Sequence, residues 1–310
     1  MLSLLILLIF LFSIEVQCRT IVKHFEKEID DKIGYWSPST SSIDWCERNY
    51  VVTWYIAEFW NCLSSLVMCL FAGMLFVHGF TNRIEKRFLF LSLSFGLVGF
   101  GSAYFHGTLT HLGQMADEIP MVYSMIIWWF ILFRMNHISN DFKRDKLILF
   151  GIFYGLLWTY VHSLQTFILV FQIHFVLMVL FGIVKLIWLY RLFPYRNNKT
   201  IKCLIKYYIG LIVIASICWL IDQQLCEELN HFRIGFNPQL HAWWHIFCAF
   251  DCHVGIICGQ AMRLLATKYQ QHRSSSSRNV FKPEEHLQIR FYFGLPFVNY
   301  SQAKKPNKTK

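Results

Sequence analysis

Charge is what this chain has least of. Asp, Glu, Lys and Arg make up 15% of its 310 residues, while 55% are hydrophobic and 18% aromatic. A soluble domain carries about 25% charged residues, so this shortage excludes a single soluble core of this size. Internal repeats are also lacking, and the only low-complexity tract is the short linker Ser274–Ser277. The charges that remain give a formal net charge of +10. They fall mainly between apolar runs, so they report topology and not nucleic-acid binding.

What is abundant is uncharged sequence. Phe59–Asn82 holds 24 residues without Asp, Glu, Lys or Arg, Phe88 opens a similar stretch ending at Asp117, and Ile119–Phe133 adds 15 more. Leu147–Val184 runs for 38 residues without such a charge. As one helix it would be about 57 Å long, against a hydrocarbon core of about 30 Å. It therefore reads as two helices, turning near His162, Ser163, Leu164 and Gln165. Tyr207–Ile221 and His241–Met262, the latter interrupted by Asp251, complete seven expected spans. The expected fold class is an all-α integral membrane protein, a seven-transmembrane helix bundle.

Leu2–Phe12 followed by Val16-Gln17-Cys18 resembles a signal peptide. It lacks a basic n-region, so an uncleaved extra span is the alternative. The expected organisation is a leader at 1–18, a pre-span segment at 19–57, a helical bundle at 58–265 and a basic tail at 266–310. Orientation follows from the basic residues of short loops. Arg83, Lys86 and Arg87 follow span one; Arg134, Lys143, Arg144 and Lys146 follow span three; Arg191, Arg196, Lys199 and Lys202 follow span five. The alternate loops are nearly bare, with only Arg233 between Asp222 and Leu240. The N-terminus is therefore expected in the lumen and the C-terminus in the cytosol. After leader removal only Cys46 and Cys226 of the 10 cysteines fall in lumenal segments. Disulfides persist in that oxidising compartment, so a Cys46–Cys226 bridge is expected, with two free thiols as the alternative.

Ionisable groups inside spans are costly and point to function. His241 and His245 are four residues apart and share one helix face. His106, at the end of span two, comes from the same side of the membrane. Three histidines with an open fourth position form a catalytic type of zinc site, able to activate water and polarise a carbonyl. Ser102 lies four residues before His106 on the same face, and Asp117 opens span three. The competing reading is a set of packed, hydrogen-bonded histidines, with His111 as a rival ligand in the connecting loop. His174 and His253 lie deeper and read as core, and Asp251 has no role on sequence grounds. Before span one, Asp44, Glu47, Asn49 and Glu58 gather hard oxygen donors of the kind that suit calcium. The spacing and glycine of an EF-hand are lacking. On the residues alone, helix capping by Asp44 and Asn49 beside solvated acids is the better reading.

In combination these stretches resemble the alkaline ceramidase family. The matching segments are Ser42–Tyr50, Val52–Asn61, Gly101–Leu109, Asp117–Met121 and His241–Ile246, within a likeness covering Trp36 to Leu265. The resemblance implies a seven-helix fold with an intramembrane zinc site held by His106, His241 and His245. It implies hydrolysis of ceramide to a sphingoid base and a free fatty acid in the endoplasmic reticulum or Golgi. By the same resemblance Asp117 handles the water's proton and Ser102 steadies the oxyanion. Asp44, Trp45 through its carbonyl, Glu47, Asn49 and Glu58 match the family's calcium site. Gly107, Cys62 and Ser65 depart from the family pattern and are expected to bear on acyl-chain preference. Two rivals remain: a related zinc hydrolase acting on another lipid, and a seven-helix receptor or scaffold with structural histidines.

Overall fold

The computed structural model describes residues 33–136, 146–164, 168–192, 194–230, 237–275 and 281–300. The expected leader, residues 19–32 of the pre-span segment, the loop residues Lys143, Arg144 and Arg233, and Gln165 lie outside them. The described chain is mostly helical. Helix α1 is Phe59–Thr81, α2 Lys86–Thr108, α3 His111–Phe133, α4 Lys146–Ser163, α5 Ile168–Tyr190, α6 Lys199–Gln224, α7 Cys226–Asn230 and α8 Leu240–Ser274. A 3-10 turn at Pro283–His286 then leads into a hairpin of β1, Ile289–Tyr292, and β2, Leu295–Val298.

Six of these helices are long and apolar enough to cross a membrane: α1, α2, α3, the Val170–Tyr190 part of α5, α6 and α8. Each of the first three has 23 residues, about 34 Å of helix against a core of about 30 Å. Helix α4 has 18 residues, about 27 Å. The long uncharged run does divide where expected, with α4 ending at Ser163 and α5 beginning at Ile168. Large apolar side chains point outward along the helices, among them Leu70 (62% exposed), Phe100 (67%) and Phe153 (67%). Such a surface suits a lipid environment and not water.

Helix α8 is the central element: 72% of its apolar stretch is buried, against 22–50% in the other five candidate spans. Around one end of the bundle, Arg263 of α8 donates from Nε to Glu85 at 2.6 Å and from Nη1 to the Met135 carbonyl at 2.8 Å. Arg87 pairs with the same Glu85 and donates to the Arg134 carbonyl at 3.3 Å. The α1–α2 turn, the end of α3 and the far part of α8 therefore share one layer.

At the opposite end, local sequence places the chemistry. Leu109 adopts a left-handed conformation (φ 48°) and stops α2, and Thr110 caps α3 by accepting from the Gly113 N–H at 3.1 Å. The two helices thus reverse over two residues. They then pack backbone to backbone: a Cβ on Gly101 would lie 1.8 Å from the Ala116 carbonyl oxygen. Only glycine admits that approach, and it sets the neighbouring residues, Ser102 and Asp117, against each other.

Two features go beyond the sequence expectations. Helix α8 continues past Leu265 to Ser274, and residues 281–300 fold back onto the bundle. His111 opens α3 instead of lying in a loop.

Candidate metal centre

His106 comes from the last turn of α2, and His241 and His245 from successive turns at the start of α8. They are 0%, 3% and 3% exposed, and one ligand atom from each lies within 4.8 Å of the others. Among the described residues no other group of His, Cys, Asp or Glu meets that condition; His111 does not join it.

Each ring is held from behind. His106 Nδ1 bonds Glu58 Oε2 at 2.5 Å, leaving Nε2 buried without a hydrogen-bond partner. His245 Nδ1 lies 2.9 Å from Ser64 Oγ and 3.2 Å from Ser65 Oγ. The His241 ring stacks on Trp45 at a centroid distance of 3.7 Å, and its Nδ1 is also buried and unpartnered. Its backbone N–H donates to Asp222 Oδ1 at 3.1 Å, satisfying a group that the helix start leaves orphaned. A buried polar atom without a partner costs about 1–3 kcal/mol. A divalent cation among the three rings would remove that cost, and a carboxylate or hydroxyl on the far nitrogen is how ligating histidines are oriented. The donor set therefore fits zinc.

Ser102 and Asp117 stand beside this cluster. Ser102 is 2% exposed; its Oγ lies 3.0 Å from Ser65 Oγ and 3.5 Å from His245 Nε2. Asp117 is half-buried.

The sequence reading missed Ser64, Ser65 and Asp222. Asn61, Ser64 and Ser65 lie at helical spacing in an otherwise apolar run, a signal that was present. Ser65, one of the departures from the family pattern, contacts Ser102, His245 and the Asn61 carbonyl, the last at 2.7 Å. The other two departures are neighbours: a Cβ on Gly107 would meet Cys62 Sγ at 3.8 Å, an ordinary contact. His174 and His253 pack as expected, His174 stacked on Trp158 and His253 bonded to the Pro296 carbonyl.

The pre-span segment is fastened to this end of the bundle. Cys46 and Cys226 form a disulfide, with Cα atoms 5.3 Å apart. The Cys46 N–H donates at 3.3 Å to Asp222, the residue that also receives the His241 N–H. The two glutamates are not solvated: Glu47 and Glu58 are 4% and 0% exposed, the amide Asn49 is 5% exposed and Asp44 is half-buried. Capping of α1 falls to Glu47, which accepts from the Trp60 and Asn61 N–H groups at 2.8 and 2.9 Å. Glu58 accepts from the Trp45 N–H at 3.0 Å and from Asn61 Nδ2 at 3.1 Å, while Asn49 Nδ2 donates to Asp44 at 3.2 Å. Buried oxygens of this kind suit a hard cation. Glu58, through His106, and Trp45, through His241, touch both groups.

Comparison with known proteins agrees with this arrangement. The family model described as Ceramidase matches residues 37–284. The chain is 34% identical to an alkaline ceramidase of Arabidopsis thaliana over 221 residues, covering 71% of this chain and 83% of that one. It is 32% identical to alkaline ceramidase 3 of Mus musculus over 292 residues, covering 89% and 98%. An alkaline ceramidase of Saccharomyces cerevisiae is 32% identical over 259 residues, covering 75% and 79%.

Proposed function

Because this chain belongs to the alkaline ceramidase family and is a ceramidase, we propose that it cleaves the ceramide amide inside the membrane at a zinc centre held by His106, His241 and His245. The observation that carries this reading is the buried triad with ligand atoms within 4.8 Å, set beside Ser102 and Asp117. Zinc at such a site supplies Lewis acidity that activates water and polarises a carbonyl.

The chain's own residues do the rest. Asp117 takes a proton from the water that attacks the amide carbon. As the carbon–nitrogen bond breaks, it returns a proton to the departing nitrogen, yielding the sphingoid base and a free fatty acid. Ser102 donates to the carbonyl oxygen as negative charge develops there. Glu58, Ser64, Ser65 and Trp45 keep the three imidazoles oriented. Asp44, the Trp45 carbonyl, Glu47, Asn49 and Glu58 form a structural calcium site. In this reading α4 is a seventh span, 58–265 is the catalytic bundle, and 19–57 is a lumenal segment following a leader at 1–18. Residues from 266 follow the bundle and end with the C-terminus in the cytosol, and the membrane is that of the endoplasmic reticulum or Golgi.

The test is release of free sphingosine from labelled ceramide by purified protein, with and without a zinc chelator. Chelator-sensitive release is expected. No release from ceramide, with cleavage of another lipid, would favour a related hydrolase. No cleavage of any lipid by metal-loaded protein would favour a receptor or scaffold.

A further inference from the structure

The segment after α8 does not trail away from the bundle. Strands β1 and β2 pair antiparallel, from Ile289 opposite Val298 to Tyr292 opposite Leu295. Leu295, Phe297 and Val298 are 5%, 3% and 0% exposed and join the core formed by α1 and α8. His253 of α8 donates from Nε2 to the Pro296 carbonyl at 2.9 Å, and His78 of α1 does the same to Val298 at 3.2 Å. The Phe297 ring lies between them, 4.9 and 4.8 Å from the two imidazole centroids.

These contacts set the depth of the hairpin. The Tyr300 ring lies 6.3 Å from that of His78, at the end of α1 next to the turn that carries Glu85. Val298 meets His78, in the last turn of α1. Pro296 meets His253, which precedes Arg263 by ten residues on α8, about 15 Å of helix. β2 therefore runs inward from the Glu85–Arg263 layer, and the Phe293-Gly294 turn lies deeper still. The midplane of a 30 Å hydrocarbon core is about 15 Å from its edge.

At that depth the hairpin turns aromatic rings outward: Phe291, Tyr292 and Phe293 are 67%, 47% and 95% exposed. Phe293 also has φ 52°, in the left-handed region where tight hairpin turns prefer Asn, Asp or Gly. A phenylalanine held in that conformation with its ring off the protein goes against local preference, and such outliers mark function more than packing.

We propose that the C-terminal hairpin is a re-entrant element whose Phe291-Tyr292-Phe293 tip is seated among the acyl chains of the bilayer, anchoring the end of the chain beside α1 and α8. This rests on the membrane reading of those helices. Three adjacent aromatics exposed to water would be an unfavourable patch, whereas in acyl chains they are solvated. The opposing cost is the unpaired outer edge of β1, since open strand edges are disfavoured in hydrocarbon. It is confined to four residues, and Arg290 on that strand is long enough to reach back towards the headgroups.

The experiment places the photoreactive residue benzoylphenylalanine at Phe293, Leu70 or Glu285, one at a time, in the full chain. The protein is reconstituted in phosphatidylcholine vesicles with radiolabelled acyl chains. Leu70 is an outward residue in mid-α1, and Glu285 is an exposed side chain outside the hairpin. Label transfer at Phe293 and Leu70, at least fivefold above that at Glu285, is the expected result. Labelling at Leu70 without labelling at Phe293 overturns the re-entrant hairpin and leaves the spanning helices standing. Failure at both overturns the membrane reading and the hairpin with it. Cross-linking of Phe293 to a second copy of the chain, or to residues 2–12, in place of lipid also overturns the proposal.

Discussion

Two imidazole nitrogens, Nε2 of His106 and Nδ1 of His241, are enclosed without a hydrogen-bond partner, and each of the three histidines would supply one of only three protein ligands. We expect alanine at any one of them to remove bound zinc and reduce ceramide hydrolysis to background. Elemental analysis alongside sphingosine release checks this; near-normal activity with zinc retained would take that residue out of the set. Ser65 tests the supporting shell. It touches Ser102 and His245 but neither water nor lipid in the proposed reaction. Ser65→Ala should therefore cost about one hydrogen bond, a five- to tenfold drop in kcat. Loss of an oxyanion donor in Ser102→Ala should cost about 10²–10³-fold. Equal effects of the two changes would show that Ser102 does no more than pack. The histidines were legible in the sequence because a four-residue spacing fixes a shared face whatever the helix packs against. Ser65 was not, because its partner depends on how α1 is rotated against α2 and α8, and hydropathy does not encode rotation.

At the scale of elements, the described part of the pre-span segment, 33–57, is the piece that most needs fastening, having almost no regular structure of its own. Three devices hold it: the Cys46–Cys226 bridge, Asp222 bonded to both Cys46 and His241, and Glu47 capping α1. The bridge closes a loop of 180 residues, so its removal should cost about 2–4 kcal/mol. We expect Cys46→Ser and Cys226→Ser each to melt lower than the parent in detergent, and the double variant no lower than either single one. A double variant well below both would mean that the two thiols also act separately. The bridge was legible because only two cysteines fall in the segments that loop charge assigns to one side. The hairpin at 289–298 was not: its strands are four residues each, one contains Pro296, and basic neighbours made the tail look solvated. The helices of the bundle were legible by length and lack of charge. The acids before α1 were misjudged as solvated because burial of a carboxylate is decided by its partners, which lie far along the chain.

The whole molecule has two unlike ends. One carries Glu85, Arg87 and Arg263, the other the histidine cluster, the disulfide and the buried acids, in agreement with the alternation of basic and bare loops. We expect a C-terminal epitope to be reached by antibody when only the plasma membrane is permeabilised, and one placed in residues 37–57 to need permeabilisation of all membranes. The reverse pattern would invert the topology. The bare end also couples two candidate cation sites through Glu58, which bonds His106 Nδ1 with one oxygen and the Trp45 N–H with the other. Calcium should raise the melting temperature of the parent, and a calcium-selective chelator should lower it. If the two conditions give the same melting temperature, the acids do not bind calcium and serve only as caps and orienters. The two acids separate the sites. Glu47 accepts from the start of α1, so Glu47→Gln should abolish the calcium-dependent shift while bound zinc is retained. Glu58→Gly should abolish the same shift and also lower zinc affinity by about 10–100-fold, the usual effect of losing a carboxylate behind a ligating histidine. Zinc content unchanged in Glu58→Gly would mean that His106 keeps its orientation without that carboxylate, and that the two sites are neighbours without being coupled.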